Sequence, residues 1–259
     1  MKEQVIVVTG ATSGIGLTTA REAAKRGARV MLVGRDEAAL KYVRDDLIQT
    51  GAQADYAVAD VREASSCKRP RIARLSGSAA SIRGSTMQAA QSTAVKGFTD
   101  ALRLELMDAD APVSVTLIKP AGIHTLFVQH ARNHMDVEPR LPPPLYAPEI
   151  VADAILYAAA TPKRDIYVGS ASAGTVGLAR SAPGILDRFM GRLGVRMQRT
   201  DRPAHHDGGH CLELLRRSPH KRIVRESSLY TSASLHPGRT AALALGAAML
   251  GVLAWKRRH

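Results

Sequence analysis

A short aliphatic run, Val5-Ile6-Val7-Val8, leads directly into Thr9-Gly10-Ala11-Thr12-Ser13-Gly14-Ile15-Gly16. A stretch with helical periodicity follows, with Leu17, Ala20, Ala23 and Ala24 on one face and Gly27 at its close. This strand–turn–helix with Gly-x-x-x-Gly-x-Gly spacing constrains the chain more than any other feature. Glycines let the backbone turn tightly, and they leave its N–H groups open to a close-lying anion. The helix N-terminus adds partial positive charge at the same place. The turn is therefore built to receive a pyrophosphate, and Gly10, Ser13, Gly14, Ile15 and Gly16 are its candidate contacts.

The pattern continues through residue 61 as β-α-β-α-β. Arg29–Val33 reads as a buried parallel strand, Glu37–Gln49 as a helix ending near Gly51, and Asp55–Ala59 as a third strand. Residues 62–93 break it. Seven of these 32 residues are serine, and the only large apolar ones are Ile72, Leu75, Ile82 and Met87. That is too little to fill one buried strand and one helix face. Regular text returns with an amphipathic helix at Ala94–Met107 and a buried strand at Val113–Ile118. A helix at Glu149–Ala160 and a strand at Ile166–Val168 follow. The spacing gives three segments: a nucleotide-binding domain over 1–203 (degenerate at 62–93), a polar, loop-rich linker over 204–239, and an apolar helix with a basic end over 240–259.

Composition narrows the class. At 45% hydrophobic residues the chain can bury a core, which with 4% aromatics must be aliphatic. Cys67 and Cys211 are its only cysteines, which excludes a disulfide framework and fits a reducing compartment. No apolar leader precedes Val5, so a cytoplasmic location is expected. The net charge of +13 is uneven: zero over 1–61, +5 over 62–93, −3 over 94–161, +5 over 162–203 and +6 over 204–259. No aromatic-interleaved basic motif accompanies the excess, so nucleic acid is not an expected partner.

Thr9–Gly16 resembles the nucleotide motif of short-chain dehydrogenases/reductases. The likeness extends over residues 1–61 and 94–203, through Lys96–Leu106 and Pro120-Ala121-Gly122-Ile123-His124-Thr125. It implies a Rossmann-like, doubly wound parallel α/β sheet and hydride transfer between an alcohol/carbonyl pair and a nicotinamide cofactor. It also implies that Pro120, Gly122 and Thr125 lie beside the nicotinamide and that Asp60-Val61 lie at the adenine. Dimers or tetramers would form through the catalytic helix and its neighbour, and that helix is altered here. Strand 2 ends in Val33-Gly34-Arg35-Asp36. Arg35 stands where NAD-using members carry an acid, and a guanidinium pairs with a 2′-phosphate, so NADP is expected ahead of NAD. The competing reading is a solvated Arg35–Asp36 pair.

The family works with Tyr-x-x-x-Lys and a preceding serine. A phenol with an ordinary pKa near about 10 needs the nearby ammonium to move a proton at neutral pH. This chain has no tyrosine between Tyr56 and Tyr146. Ungapped alignment from Ala94–Phe98 puts Gln88 and Ser92 at the Tyr and Lys places; a gapped one puts Gln91 at the Tyr place and deletes the Lys. Glutamine carries no useful proton. Ser78 best matches the catalytic serine, with Ser76 as the alternative. Only 17 residues separate Asp60 from Ser78, where one βαβ unit alone takes about 30. A central strand–helix unit is therefore expected to be missing, leaving unpaired edges that the weak run Arg71–Leu75 would have to fill. The alternative function is a nucleotide-binding pseudoenzyme or a membrane-attached interaction protein.

Two features lie near the C-terminus. His205-His206-Asp207-Gly208-Gly209-His210-Cys211 sits in polar, glycine-containing text and reads as solvated loop, so no metal site is expected. Ala241–Trp255 is apolar on every face and ends in Lys256-Arg257-Arg258. At about 23 Å it falls short of a ~30 Å hydrocarbon core, and it reads as a membrane-associating segment rather than a span.

The break at 62–93 reads as a deletion, with a local frame change, in the gene of an active enzyme. Resequencing the coding DNA is expected to reveal an intact in-frame Tyr-x-x-x-Lys. Unbroken codons together with a stably folded product would count against this origin.

Overall fold

The computed structural model describes residues 4–60, 83–85, 93–125, 136–203, 224–238 and 240–241. The amino-terminal β-α-β-α-β unit forms as its pattern requires: β1 (Val5–Thr9), α1 (Gly14–Lys25), β2 (Arg29–Gly34), α2 (Glu37–Gln49) and β3 (Ala54–Val58). Val30, Met31 and Leu32 of β2 are wholly buried, Val30 and Leu32 beneath the helices and Met31 on the other face with Val7, Val33, Ala57 and Ala59. Leu17, Ala20 and Ala23 of α1 and Leu40, Val43 and Leu47 of α2 close over the sheet. Asp36 caps α2, its carboxylate accepting from the Ala39 N–H at 3.0 Å.

The sheet order is β3-β2-β1-β4, all parallel, with β4 limited to Arg83–Ser85 against Ile6–Val8. The run expected in this place, Arg71–Leu75, lies outside the described residues, and the tripeptide Arg83–Ser85 holds the edge of β1. Helix α3 (Thr93–Asp108) follows, and then β5 (Leu117–Pro120). This strand begins later than its apolar run suggests. Val113 is 58% exposed, and the Val115 carbonyl accepts from the Arg103 guanidinium at 3.0 Å instead of from a neighbouring strand. β5 pairs in parallel with β8 (Asp165–Val168), Leu117 opposite Asp165 through Pro120 opposite Val168. Among the described residues this pair and the four-stranded sheet are separate.

Helix α4 (Pro148–Ala160), with proline at its first turn, joins them. Its Leu156 belongs to the core of the four-stranded sheet, whereas Ile150, Val151, Ala154 and Ile155 belong to a second core with Ile118, Ile123, Tyr146, Ile166 and Val168. Arg26 at the end of α1 pairs with Asp153 of α4.

Two short ladders flank this body: β6 (Val137–Pro139) antiparallel to β9 (Arg199–Pro203), and β7 (Leu145–Tyr146) parallel to β10 (Val224–Arg225). After β8 come α5 (Ser170–Ser181), α6 (Pro183–Phe189), a π turn at Met190–Gly194 and α7 (Val195–Gln198). The expectation of loop beyond Pro203 is corrected in part. β10 and helix α8 (Leu229–Leu235) fold onto the second core, burying Ser228, Thr231 and Leu235. Hydroxyls do the work here in place of an aliphatic stripe. Ser228 caps the helix by accepting from the Thr231 N–H, and the Thr231 hydroxyl accepts from the Gly169 N–H at 2.9 Å.

Asp100 of α3 ties the helix to the strand ends. Its carboxylate takes hydrogen bonds from Lys96 at 2.9 Å and from Arg103 and Arg164 at 2.7 Å each. The Lys96 ammonium foremost, with Arg164 and Arg103, holds this carboxyl below the usual carboxylate range. A depressed folded pKa contributes stability that is present above the ordinary carboxylate value and is lost as pH falls through the folded value. An Asp100→Asn variant is therefore expected to melt below the parent at pH 7, with the gap narrowing below about pH 4. Thermal melts across that range check it; a gap that does not change with pH would show that the charge contributes nothing.

Candidate functional site

The C-terminal ends of β1, β2, β3 and β5 converge on one edge, the place where open α/β sheets bind ligands. The turn after β1 sits at its centre. Gly10 (φ +66°) and Gly14 (φ +53°) adopt left-handed backbone. Gly16 is glycine for a different reason: a Cβ there would stand 2.2 Å from the Gly10 carbonyl oxygen. The Gly10 N–H donates to the Val33 carbonyl at 2.9 Å, fixing the turn to the end of β2. No atom lies within 4 Å of where a Gly10 Cβ would be, so the turn presents bare backbone. Ser13 is the N-cap of α1 in extended conformation, its hydroxyl makes no capping bond, and the first turn of the helix holds no acid. This donor set fits an anionic pyrophosphate.

The segment after β5 arches over the turn. The Ala121 N–H donates to the Val168 carbonyl at 2.8 Å, the Gly122 carbonyl accepts from the Tyr146 N–H, and the His124 N–H donates to the Tyr146 carbonyl, both at 2.9 Å. Gly122 has little spare room, because a Cβ there would meet Leu145 at 3.2 Å. Held this way, Thr125 reaches Gly14: its Cβ and Cγ2 lie 3.5 and 3.6 Å from the position of a Gly14 Cβ. Ile15 packs on the second core beside Ala121 and Ile123. Thr125 thus meets Gly14, and Ala121 and Ile123 share a core with Ile15, although the first residues follow the two-stranded sheet and Gly14 and Ile15 follow the four-stranded one.

At the other side, Arg35 is exposed just beyond β2, with no hydrogen bond or ion pair among the described residues. Its neighbour Asp36 is committed to capping α2, and the competing Arg35–Asp36 surface pair does not form. Asp60 is half-buried next to Ala59, whose N–H donates to the Gly34 carbonyl at 2.9 Å, and so lies at the same edge as Arg35.

Val61, Ser78, Ser76, Gln88, Gln91 and Ser92 lie outside the described residues. Lys96 is spoken for by Asp100 on the outer face of α3. Tyr146 is wholly buried, its hydroxyl 2.8 Å from that of Ser170, so it is a core residue and not a displaced proton donor. Beyond the arch, Val137–Pro139 and Leu145–Tyr146 are strand, and Tyr146 is the backbone clamp of the 120–125 arch. Sequence reading missed that clamp, and also Gly169 (φ +91°), where a Cβ would stand 2.8 Å from the Tyr146 ring. The signal available was Val168-Gly169 at a strand end facing the apolar pair Leu145-Tyr146. Among the described residues no group of His, Cys, Asp or Glu side chains could hold a metal, and His205–Cys211 lies outside them.

Replacing Gly16 by alanine is expected to distort the turn and weaken nucleotide binding about tenfold or more. Gly97→Ala on α3, where a Cβ meets nothing within 4 Å, is the control that leaves binding unchanged. Titration of both variants with NADPH, with circular dichroism to confirm folding, checks it; equal affinities would remove the turn from the binding site.

Comparison with known proteins agrees with this geometry. A short chain dehydrogenase family model matches residues 4–74. YxnA, an uncharacterized oxidoreductase of Bacillus subtilis, is 31% identical over 98% of this chain and 90% of its own. That alignment runs over 328 positions, at least 69 more than the 259 residues present here, so the relative has segments without a counterpart in this chain. Human short-chain dehydrogenase/reductase 3 is 39% identical over 62 residues, 24% of this chain and 20% of that one. Among solved structures, a citronellol catabolism dehydrogenase of Pseudomonas aeruginosa superposes with a TM-score of 0.47 at 21% identity, over 66% of this chain and 95% of that one. The glycine turn, the strand order and the full-length match to YxnA together show that the chain belongs to the short-chain dehydrogenase/reductase family of oxidoreductases.

Proposed function

We propose that this chain binds NADP at the C-terminal edge of its sheet and that its chemistry is that of an alcohol/carbonyl pair. The observation that carries the reading is the bare turn Gly10–Gly16 brought under Thr125 by the arch from β5. Gly10, Ser13, Gly14, Ile15 and Gly16 would hold the pyrophosphate, and Pro120, Gly122 and Thr125 the carboxamide end. Asp60 and Val61 would hold the adenine. Arg35 would pair with the 2′-phosphate, a role supported by its exposure and by the engagement of Asp36 elsewhere. The cofactor, when bound, supplies or takes the hydride. The chain's own task is to place it, and Ser78 is the residue we assign to orienting a substrate oxygen.

A second reading is favoured by a specific observation. The proton-moving pair is absent from the sequence, and neither Lys96, held by Asp100, nor Tyr146, buried against Ser170, replaces it. On that reading the chain keeps nucleotide binding and has lost turnover. The C-terminal run Ala241–Trp255 is proposed to associate with membranes. From residue 242 it lies outside the described residues, among which no helix is long and apolar enough to cross a membrane.

NADPH is expected to raise the unfolding temperature more than NADH does at equal concentration, because only the folded chain binds it. Arg35→Ala is expected to lower NADPH affinity about tenfold and leave NADH affinity unchanged, consistent with one charge-assisted pair. Paired calorimetric titrations test this. No stabilisation by either nucleotide would overturn the binding assignment, and an unchanged preference in Arg35→Ala would overturn the role of Arg35. Reduction of carbonyl compounds by the NADPH complex would decide between the two readings.

A further inference from the structure

Among the described residues, the segment from Pro183 to Gln198 buries almost none of its side chains. α6 has no buried residue, and the π turn after it buries only Gly194. The segment is tied to the body at its two ends, through α5 before it and through β9 after it. There β9 is paired with β6, the Arg140 Nε donates to the Met197 carbonyl at 2.9 Å, and Arg199 pairs with Asp136 at 2.8 Å. Between those ties Ile185, Phe189, Met190 and Leu193 are 64, 49, 45 and 41% exposed.

Their spacing is ordered. Ile185, Phe189 and Leu193 recur every four residues, with Met190 beside them, and Arg188, Arg192 and Arg196 recur at the same interval one row over. A helical stretch with this repeat carries an apolar band bordered along its length by a row of guanidiniums. The three arginines are exposed and make no ion pair among the described residues. Asp187 is the only acid between Pro183 and Gln198. A half-exposed apolar band, edged by cations that make no ion pair among the described residues, matches the boundary between lipid headgroups and acyl chains. The rings and aliphatic side chains enter the apolar side while the guanidiniums reach back to phosphate. A protein partner would have to supply both an apolar groove and a matching row of acids. A second copy of the same row would meet like charge across a two-fold contact.

We propose that Pro183–Gln198 is an interfacial element that seats the domain on an anionic lipid surface through Ile185, Phe189, Met190 and Leu193, with Arg188, Arg192 and Arg196 on the headgroups. It precedes the C-terminal apolar run in sequence by more than 40 residues. Binding by so short an element is reversible and salt-sensitive.

The test is flotation of the full chain with vesicles of phosphatidylcholine alone or containing 30% phosphatidylglycerol. Phe189→Ser/Leu193→Ser and Arg188→Gln/Arg192→Gln/Arg196→Gln are run beside it, since surface changes in an element without a core contact leave the fold intact. The parent is expected to float with the anionic vesicles and to be released as salt rises to about 0.5 M. The arginine variant is expected to lose the preference for anionic lipid, and the serine variant to lose about tenfold or more in bound fraction. Flotation unchanged in both variants would place the contact elsewhere and overturn the proposal. So would absence of flotation by the parent. Sedimentation that shows the serine variant turning a dimer into a monomer, with no lipid bound by the parent, would make the row a self-contact and also overturn it.

Discussion

Everything on the functional edge depends on the packing of α1 against α4. In an unbroken parallel sheet, backbone hydrogen bonds carry order from one strand to the next. Here β4 is three residues long, and β5 and β8 form a ladder of their own, so that continuity is absent among the described residues. A helix pair takes over. Ala20 and Ala23 of α1 are wholly buried, as are Val151, Ala152 and Ala154 of α4. Small side chains let the two helices approach closely. Leu156 on one face of α4 completes the first core, while Ile150, Val151, Ala154 and Ile155 on its other faces belong to the second. Each large aliphatic side chain so buried contributes about 1.5–3 kcal/mol, enough for a few of them to fix two sheets that share no hydrogen bond among the described residues.

The chemistry inherits this arrangement. Gly14 is delivered by the first sheet and Thr125 by the second, and they meet within van der Waals distance only because the helix pair sets the separation. The half of the site proposed for a pyrophosphate is local, written into eight consecutive residues, and needs only β1, β2 and α1 to exist. The half proposed for the carboxamide needs β5, β8, the Tyr146 clamp and the hydroxyl of Thr231 on Gly169. The first half therefore stands on local contacts, while the second depends on long-range ones.

This division explains what the sequence made legible. The first five elements follow the hydrophobic period closely, and α2 spans Glu37–Gln49 in both sequence and structure. Gly10, Gly14 and Gly16 declare themselves by spacing, since each answers to a backbone requirement that no other residue meets. α4 was legible through its continuous apolar text and its leading proline. What escaped has a common cause. β4 is Arg-Gly-Ser, with no apolar signal at all. α8 is held by Ser228 and Thr231, whose hydrogen bonds stand in for an aliphatic stripe. β5 starts late because Arg103 captures the carbonyl ahead of it. Tyr146 sat in proline-rich text that reads as loop, yet its backbone bonds are what hold the arch. Polar contacts between residues distant in sequence leave no period to read.

The Arg26–Asp153 pairing, which closes the two helices on each other, spans 127 positions of chain. That separation governs the order in which the molecule is made. The first βαβ unit can close as soon as it leaves the ribosome, because its contacts are near neighbours. The side of α1 that packs on α4 then waits for its partner until synthesis has passed residue 160. At about 5–20 residues per second that interval lasts several seconds, long compared with the collapse of a short segment. The nascent chain thus spends most of its synthesis as a half-built sheet with an open aliphatic surface, and its yield is set by how well it is guarded over that interval.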